Sequence, residues 1–154
     1  MQCPVPTLEK SFSLRVDLSK PLELGEGRAG QRRIIPIIGG VASGPDITGE
    51  VLNLGADWQT IFADGAVHLD TRYALETHDG AVIEIVNVGA RHGPADVMAR
   101  LAAGEDVDPA SYYMRTAARL ETGDKRYAWL NHTLFVCAGI RRASAVEIDY
   151  YKVL

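Results

Sequence analysis

Carboxylates, arginines and aromatics recur in this chain at spacings that strand geometry could bring together. Asp57 adjoins Trp58 in Gly55-Ala56-Asp57-Trp58. If the pair projects into a cavity, desolvation beside the indole raises the carboxyl pKa and suits it to general acid or base work. The competing reading is a loop aspartate bonding to backbone amides. Asp70 and Arg72 are two residues apart, so on a strand they share one face. An arginine held by an aspartate on rigid backbone can grip a carboxylate or stabilise an enolate oxygen. Against this, Val67, Leu69, Tyr73 and Leu75 occupy the alternate positions, which leaves Asp70 and Arg72 for a solvated face in a simple antiparallel sheet.

Four further stretches supply candidate binding groups. Glu84 lies between Val82 and Val86, a conflict on an otherwise apolar face, and such conflicts concentrate at functional sites. Arg33 falls on the face of Ile35 and Ile37. Tyr113 and Arg115 share a face, as do Trp129, Asn131 and Thr133 in the run 126–141 if that run is one strand. The expected catalytic set is Asp57 as proton carrier with Arg72, positioned by Asp70, as the oxyanion group. The expected binding set is Arg33, Trp58, Glu84, Tyr113, Arg115, Trp129 and Asn131. For each there is a plain alternative: an exposed strand-end arginine, an edge glutamate, or a structural asparagine bond.

Other chemistries have little footing. His68, His78, His92 and His132 show no metal-ligand spacing, so no metal is expected. Cys3 and Cys137 form neither a disulfide framework nor a zinc pattern, and Cys137 in an apolar run reads as inert core. There is no GxSxG, GxGxxG before a helix, Walker loop or HExxH, so no cofactor is expected. With 16 Lys and Arg against 20 Asp and Glu, the formal charge is −4, which argues against nucleic acid or an anionic membrane surface as partner. No stretch approaches the ~20 apolar residues of a membrane helix. The N-terminus lacks a signal-peptide pattern, and a reduced cytoplasm is the expected location.

The elements that must position these groups are mostly strands. Phe12, Leu14, Val16 and Leu18 alternate with polar residues, the period-two pattern of a half-buried strand. The runs 32–38, 48–54, 58–62, 111–121, 126–141 and 145–153 read as further strands. Asp79-Gly80 joins two alternating runs into a hairpin over residues 66–88, the firmest local reading. One helix is expected near Pro94–Ala103, with Pro94 at its first position and Gly104 as its stop. Fifteen glycines and seven prolines fit many short elements joined by turns. The chain therefore reads as one all-β domain over 1–154. It has eight or nine antiparallel strands and one short helix, closing into a barrel in preference to an open sandwich.

Gly30-x-Arg32-Arg33, Ile38-Gly39-Gly40, Gly44-Pro45, Thr48-Gly49, Gly55-Ala56-Asp57-Trp58, Asp64-Gly65 and Asp70-Thr71-Arg72-Tyr73 follow one another in order. Thr77-x-Asp79-Gly80-Ala81, Tyr112-Tyr113-Met114-Arg115-Thr116, Leu120-Glu121-Thr122 and Tyr127-x-Trp129-Leu130-Asn131 continue the series. Over about Phe12 to Val153 this closely resembles the UPF0311/DUF3237 family. The departures are Leu120 in place of an aromatic and Cys137 in place of a glycine. The resemblance implies a compact, calycin-like β-barrel with a central cavity and no established reaction. In such a barrel the polar faces holding Asp57, Asp70 and Arg72 can line the lumen.

Taken together, these readings lead to a cofactor-independent enzyme acting on a small organic acid or phenolic compound. The reaction would be of isomerase, lyase or decarboxylase type, using carboxylates for proton transfer and arginine for the oxyanion. The alternative is a non-catalytic barrel that binds an aromatic or apolar small molecule between Trp58, Tyr73, Tyr113 and Trp129. Two or more ionisable groups converging in one pocket favour the enzyme; an apolar cavity with isolated polar anchors favours the binder. A homo-oligomer is compatible with either.

Overall fold

A computed structural model describes residues 1–154. Its ten strands are β1 (Leu8–Leu18), β2 (Leu22–Glu26), β3 (Gln31–Ser43), β4 (Gly49–Val51), β5 (Ala56–Ile61), β6 (Val67–Thr77), β7 (Val82–His92), β8 (Tyr113–Glu121), β9 (Phe135–Arg141) and β10 (Ala145–Val153). One α-helix, α1 (Ala95–Ala102), and two 3₁₀ segments, Pro109–Ser111 and Lys125–His132, complete the secondary structure. Every strand pairing is antiparallel.

The sheet runs β1-β10-β9-β8-β7-β6-β4-β3 and closes because β1 also pairs with β3. The short β4 and β5 each bridge β3 and β6, so together they make one broken stave. β2 pairs with β3 alone and lies off the ring. The architecture is thus a closed eight-stave antiparallel barrel, with no open edge around its circumference.

The alternation in the sequence explains which side chains point inward. Phe12, Leu14 and Val16 of β1, Leu69, Tyr73 and Leu75 of β6, and Ile83 and Ile85 of β7 are all buried. The 66–88 hairpin forms as expected, from Val67↔Arg91 to Glu76↔Val82. Gly80 takes a positive φ of 88° at its turn, a conformation that favours glycine. Gly55, at φ 88°, marks the break between β4 and β5. A Cβ there would lie 2.2 Å from the Arg72 carbonyl oxygen, so only glycine lets β5 rejoin β6 at that point.

The interior has two apolar ends. Phe12, Tyr73, Leu75, Ile85, Phe135 and Tyr150 belong to the larger cluster, where Phe12 stacks on Tyr150 with ring centroids 4.4 Å apart. At the other end Val97 and Leu101 of α1 pack onto Val67, Leu69, Tyr112 and Met114. The expected helix is present, with Pro94 one position earlier than expected, at the N-cap with φ −53° and ψ 144°.

One expected strand is corrected. Residues 125–132 form a 3₁₀ strap, and the strand begins only at Phe135. The Asp124 carboxylate accepts the Arg126 N–H at 2.9 Å and starts the turn, a local bond that competes with extended backbone. Asn131 then accepts the Thr122 N–H and donates to the Thr122 carbonyl, both at 2.9 Å. Tyr127 and Leu130 are buried by this arrangement.

Candidate active site

Along β5 the side chains of Asp57 and Gln59 turn into the barrel, whereas Trp58 between them turns out. Strand pairing sets Ile35, Asp57, Thr71, Asn87 and Ala118 in one row around the wall; neighbours in such a row lie about 5 Å apart. A second row, nearer α1, runs Val67–Arg91–Met114. From these rows Ile35, Asp57, Thr71, Asn87, Arg91 and Met114, together with Arg141 from the end of β9, line a cavity of about 50 Å³, room for a few waters or the head of a small molecule.

Hydrogen bonds tie the polar wall together. Arg33 Nε donates to Gln59 Oε1 at 2.8 Å, and Gln59 Nε2 donates to Asp57 Oδ2 at 2.6 Å. The β5–β6 ladder opens between the Asp57–Thr71 and Thr60–His68 pairs. There the Asp70 N–H turns to Asp57 Oδ1 at 3.0 Å. Each carboxylate oxygen thus accepts one bond and keeps further lone-pair capacity.

The cations are less well satisfied. Arg91 is 5% exposed, and its Nε has no partner. Burial, and then repulsion from Arg141 and Arg33, push its pKa down to about 10, with Asp57 pulling the other way. Arg141 is lowered as well, by burial and then by Arg33, again opposed by Asp57. Its guanidinium donates to the Ala145 and Ala143 carbonyls at 3.0 and 3.4 Å. None of Arg33, Arg91 and Arg141 has a carboxylate within 4.0 Å. Asp57 is the single acidic residue on the cavity wall.

At the deep end, Asn87 Nδ2 donates to Tyr150 Oη at 3.2 Å, and the Tyr150 and Tyr73 hydroxyls share a bond of 2.6 Å. Burial pushes both phenols well above their ordinary range, so they stay neutral. Asn87 is 3% exposed, and its Oδ1 has no partner. Burial also pushes the Cys137 thiol up to about 12, outweighing the opposing influence of the neighbouring Thr116 and Asn87, so it is no nucleophile at neutral pH.

Of the residues singled out from the sequence, Asp57 lines the cavity, and Arg33 sits at its α1 end. The rest lie elsewhere. Asp70 and Arg72 are exposed on the outer face of β6, because Leu69, Thr71 and Tyr73 take the inward positions; the expected Asp70/Arg72 catalytic pair is therefore corrected. Trp58 is 38% exposed and cannot desolvate Asp57 from the opposite face. Glu84 is exposed, since the Ile83/Ile85 face is the one buried and Val82 and Val88 are tolerated outside. Tyr113 and Arg115 are outside as well: the tyrosine stacks on His92 at 4.9 Å, and the guanidinium lies 5.7 Å from its ring. Trp129 packs beside Phe135 beneath Lys152, and Asn131 holds the 3₁₀ strap. Nowhere do three His, Cys, Asp or Glu side chains gather as a metal site would need.

Comparison with known proteins bears on the family and the fold. A family model described as a protein of unknown function, DUF3237, matches residues 6–153. The chain belongs to the DUF3237 family. A UPF0311 protein of Rhodopseudomonas palustris is 44% identical over 97% of this chain and 99% of its own length. Another, from Clostridium acetobutylicum, is 38% identical over 94% and 92%. A Rhodopseudomonas palustris crystal structure superposes with a TM-score of 0.93 at 41% identity, covering 99% of this chain and all of that one. A structure described as a beta-barrel like protein from Acinetobacter baumannii gives 0.88 at 43% identity, with 99% of each chain covered. More distant is an enzyme from Penicillium herquei, with a TM-score of 0.75, 21% identity, and coverage of 100% and 98%; that likeness shows a shared fold.

In this DUF3237 member, Gln59, Asn87, Arg91 and Arg141 are the site residues that the sequence reading did not single out. A signal existed for three of them. Asn87 and Arg91 continue the Ile83/Ile85 alternation, so polar groups at those positions had to enter the core. Arg141 similarly follows Cys137 and Gly139 on the inner face of β9. Gln59 carries no such mark, because β5 is too short for its alternation to stand out.

Proposed function

We propose that this DUF3237 protein is a cofactor-independent enzyme that moves a proton on a small organic acid or phenolic compound. The observation that supports this most is the convergence of Asp57 with the unneutralised Arg91 and Arg141 on one enclosed cavity. The Asp57 carboxylate takes a proton from the substrate, whose electron pair moves onto oxygen as an enolate or phenolate. The buried Arg91 and the half-buried Arg141 hold that oxyanion. Returning the proton at another carbon completes an isomerisation, and expelling a neighbouring leaving group completes an elimination. Gln59 links Arg33 to Asp57 and orients the carboxylate.

The Asp57→Asn substitution keeps the size of the side chain and removes the basic oxygen. Exchange of substrate C–H for deuterium, followed by NMR over a panel of small acids and phenols, should fall by roughly 10²–10⁴-fold with the circular dichroism unchanged. Undiminished exchange in the variant would remove Asp57 from the mechanism. The non-catalytic binding barrel is the second reading. It is favoured by the outward Asp70/Arg72 pair, which leaves the cavity a single carboxylate. Saturable binding across the panel, with no exchange in the native protein, would select it.

A further inference from the structure

A cleft between α1 and the barrel rim shares Arg91 and Arg141 with the inner cavity and adds Arg33. Its volume is about 400 Å³, against about 50 Å³ inside, and so within the range of small-molecule sites. Pro21, Ile61, Met98 and Leu101 contribute apolar wall, and no carboxylate lines it. Three guanidiniums thus form a layer with an apolar cleft on one side and Asp57 on the other.

We propose that the α1 cleft is a substrate subsite, holding the apolar tail of a carboxylate whose anionic head rests on the Arg33–Arg91–Arg141 layer. This deepens the enzymatic reading and rests on it: the head is what Asp57 works upon. The first support is Arg91, a cation 5% exposed whose Nε lacks any acceptor. A buried unpaired charge is costly, and a carboxylate oxygen removes that cost through a charge-assisted bond. The second is the imbalance of three arginines against one aspartate over both spaces, which selects an anion although the whole chain carries −4. The third is size, since the inner cavity admits a reacting head and the tail must lie elsewhere. The apolar walls beneath α1 offer an organic tail contacts that inorganic phosphate or chloride cannot exploit.

Calorimetric titration of the native protein with acetate, butanoate and hexanoate tests this without any turnover. Affinity should tighten about fourfold per methylene, and hexanamide should bind at least tenfold more weakly than hexanoate. Ala99 is exposed on α1 and borders the cleft, so Ala99→Trp should reduce hexanoate to the affinity of acetate. Equal binding of acetate and hexanoate, or of hexanoate and hexanamide, overturns the proposal. The Asp57→Asn protein should keep the chain-length series. Tail-dependent binding without proton exchange therefore removes only the enzymatic reading, and exchange with tail-independent binding removes only the cleft.

Discussion

Arg91 concentrates the tension between stability and function in a single residue. Its guanidinium sits among apolar walls, repelled by Arg141 and Arg33 and without a carboxylate partner. Replacing a buried charge by an apolar side chain of similar length is often neutral or stabilising. Arg91→Met should therefore match or exceed the native protein in urea denaturation, while losing hexanoate binding. The pH dependence has a definite sign. The folded pKa of about 10 lies below the ordinary guanidinium value, so between the two the unfolded chain holds the proton and the folded one has released it. Stability of the native protein should consequently rise with pH in that window relative to Arg91→Met. A gap between the two proteins that stays constant from pH 9 to pH 12 would show that folded Arg91 keeps its proton over that range.

The elements that frame the site are held by local polar bonds, and the 3₁₀ strap Lys125–His132 shows how. The Tyr127 hydroxyl donates to the Asp79 carboxylate, with its oxygens at 2.9 and 3.0 Å. Arg126 Nε and Nη2 reach Asp124 at 3.0 and 2.7 Å. The Arg126 contacts hold the Asp124 carboxyl down at about 2. The Thr77 hydroxyl, followed by Tyr127, holds Asp79 below the usual range. Because both folded values are depressed, their contribution is complete above roughly pH 4 and is lost as pH falls toward roughly pH 2. Trp129 lies on the strap, so in a Trp58→Phe background its fluorescence should report release across that interval. Asp124→Asn should flatten the response. An acid transition unchanged by that substitution would place the sensitive groups elsewhere.

At the scale of the whole molecule, closure depends on β1, which pairs with both β3 and β10. Residues 1–6 precede the first strand and are exposed. Deleting 1–6 should leave the thermal midpoint within about 2 °C, because few contacts are lost; deleting 1–18 should abolish cooperative unfolding, since it opens two ladders at once. A cooperative transition in the longer deletion would show that β3 and β10 can close the ring without β1. Much of the fold was legible in the sequence because strand alternation and Asp-Gly turns are local properties. Phe12 to Leu18, the 66–88 hairpin and the helix after Pro94 all announce themselves within a few residues. The 3₁₀ strap was less legible, since its Asn131–Thr122 bonds operate across a turn. The site was least legible. Period two shows that Asp70 and Arg72 share a face and that Leu69 and Tyr73 share the other, yet it does not state which face a closed barrel encloses. The sequence by itself determined the antiparallel all-β architecture and the presence of Asp57 at a turn into a strand. Only the tertiary structure decided that Asp57 meets Arg91 and Arg141 rather than Arg72, because ring closure sets the inward faces of β5, β7 and β9 against one another across residues far apart in the chain.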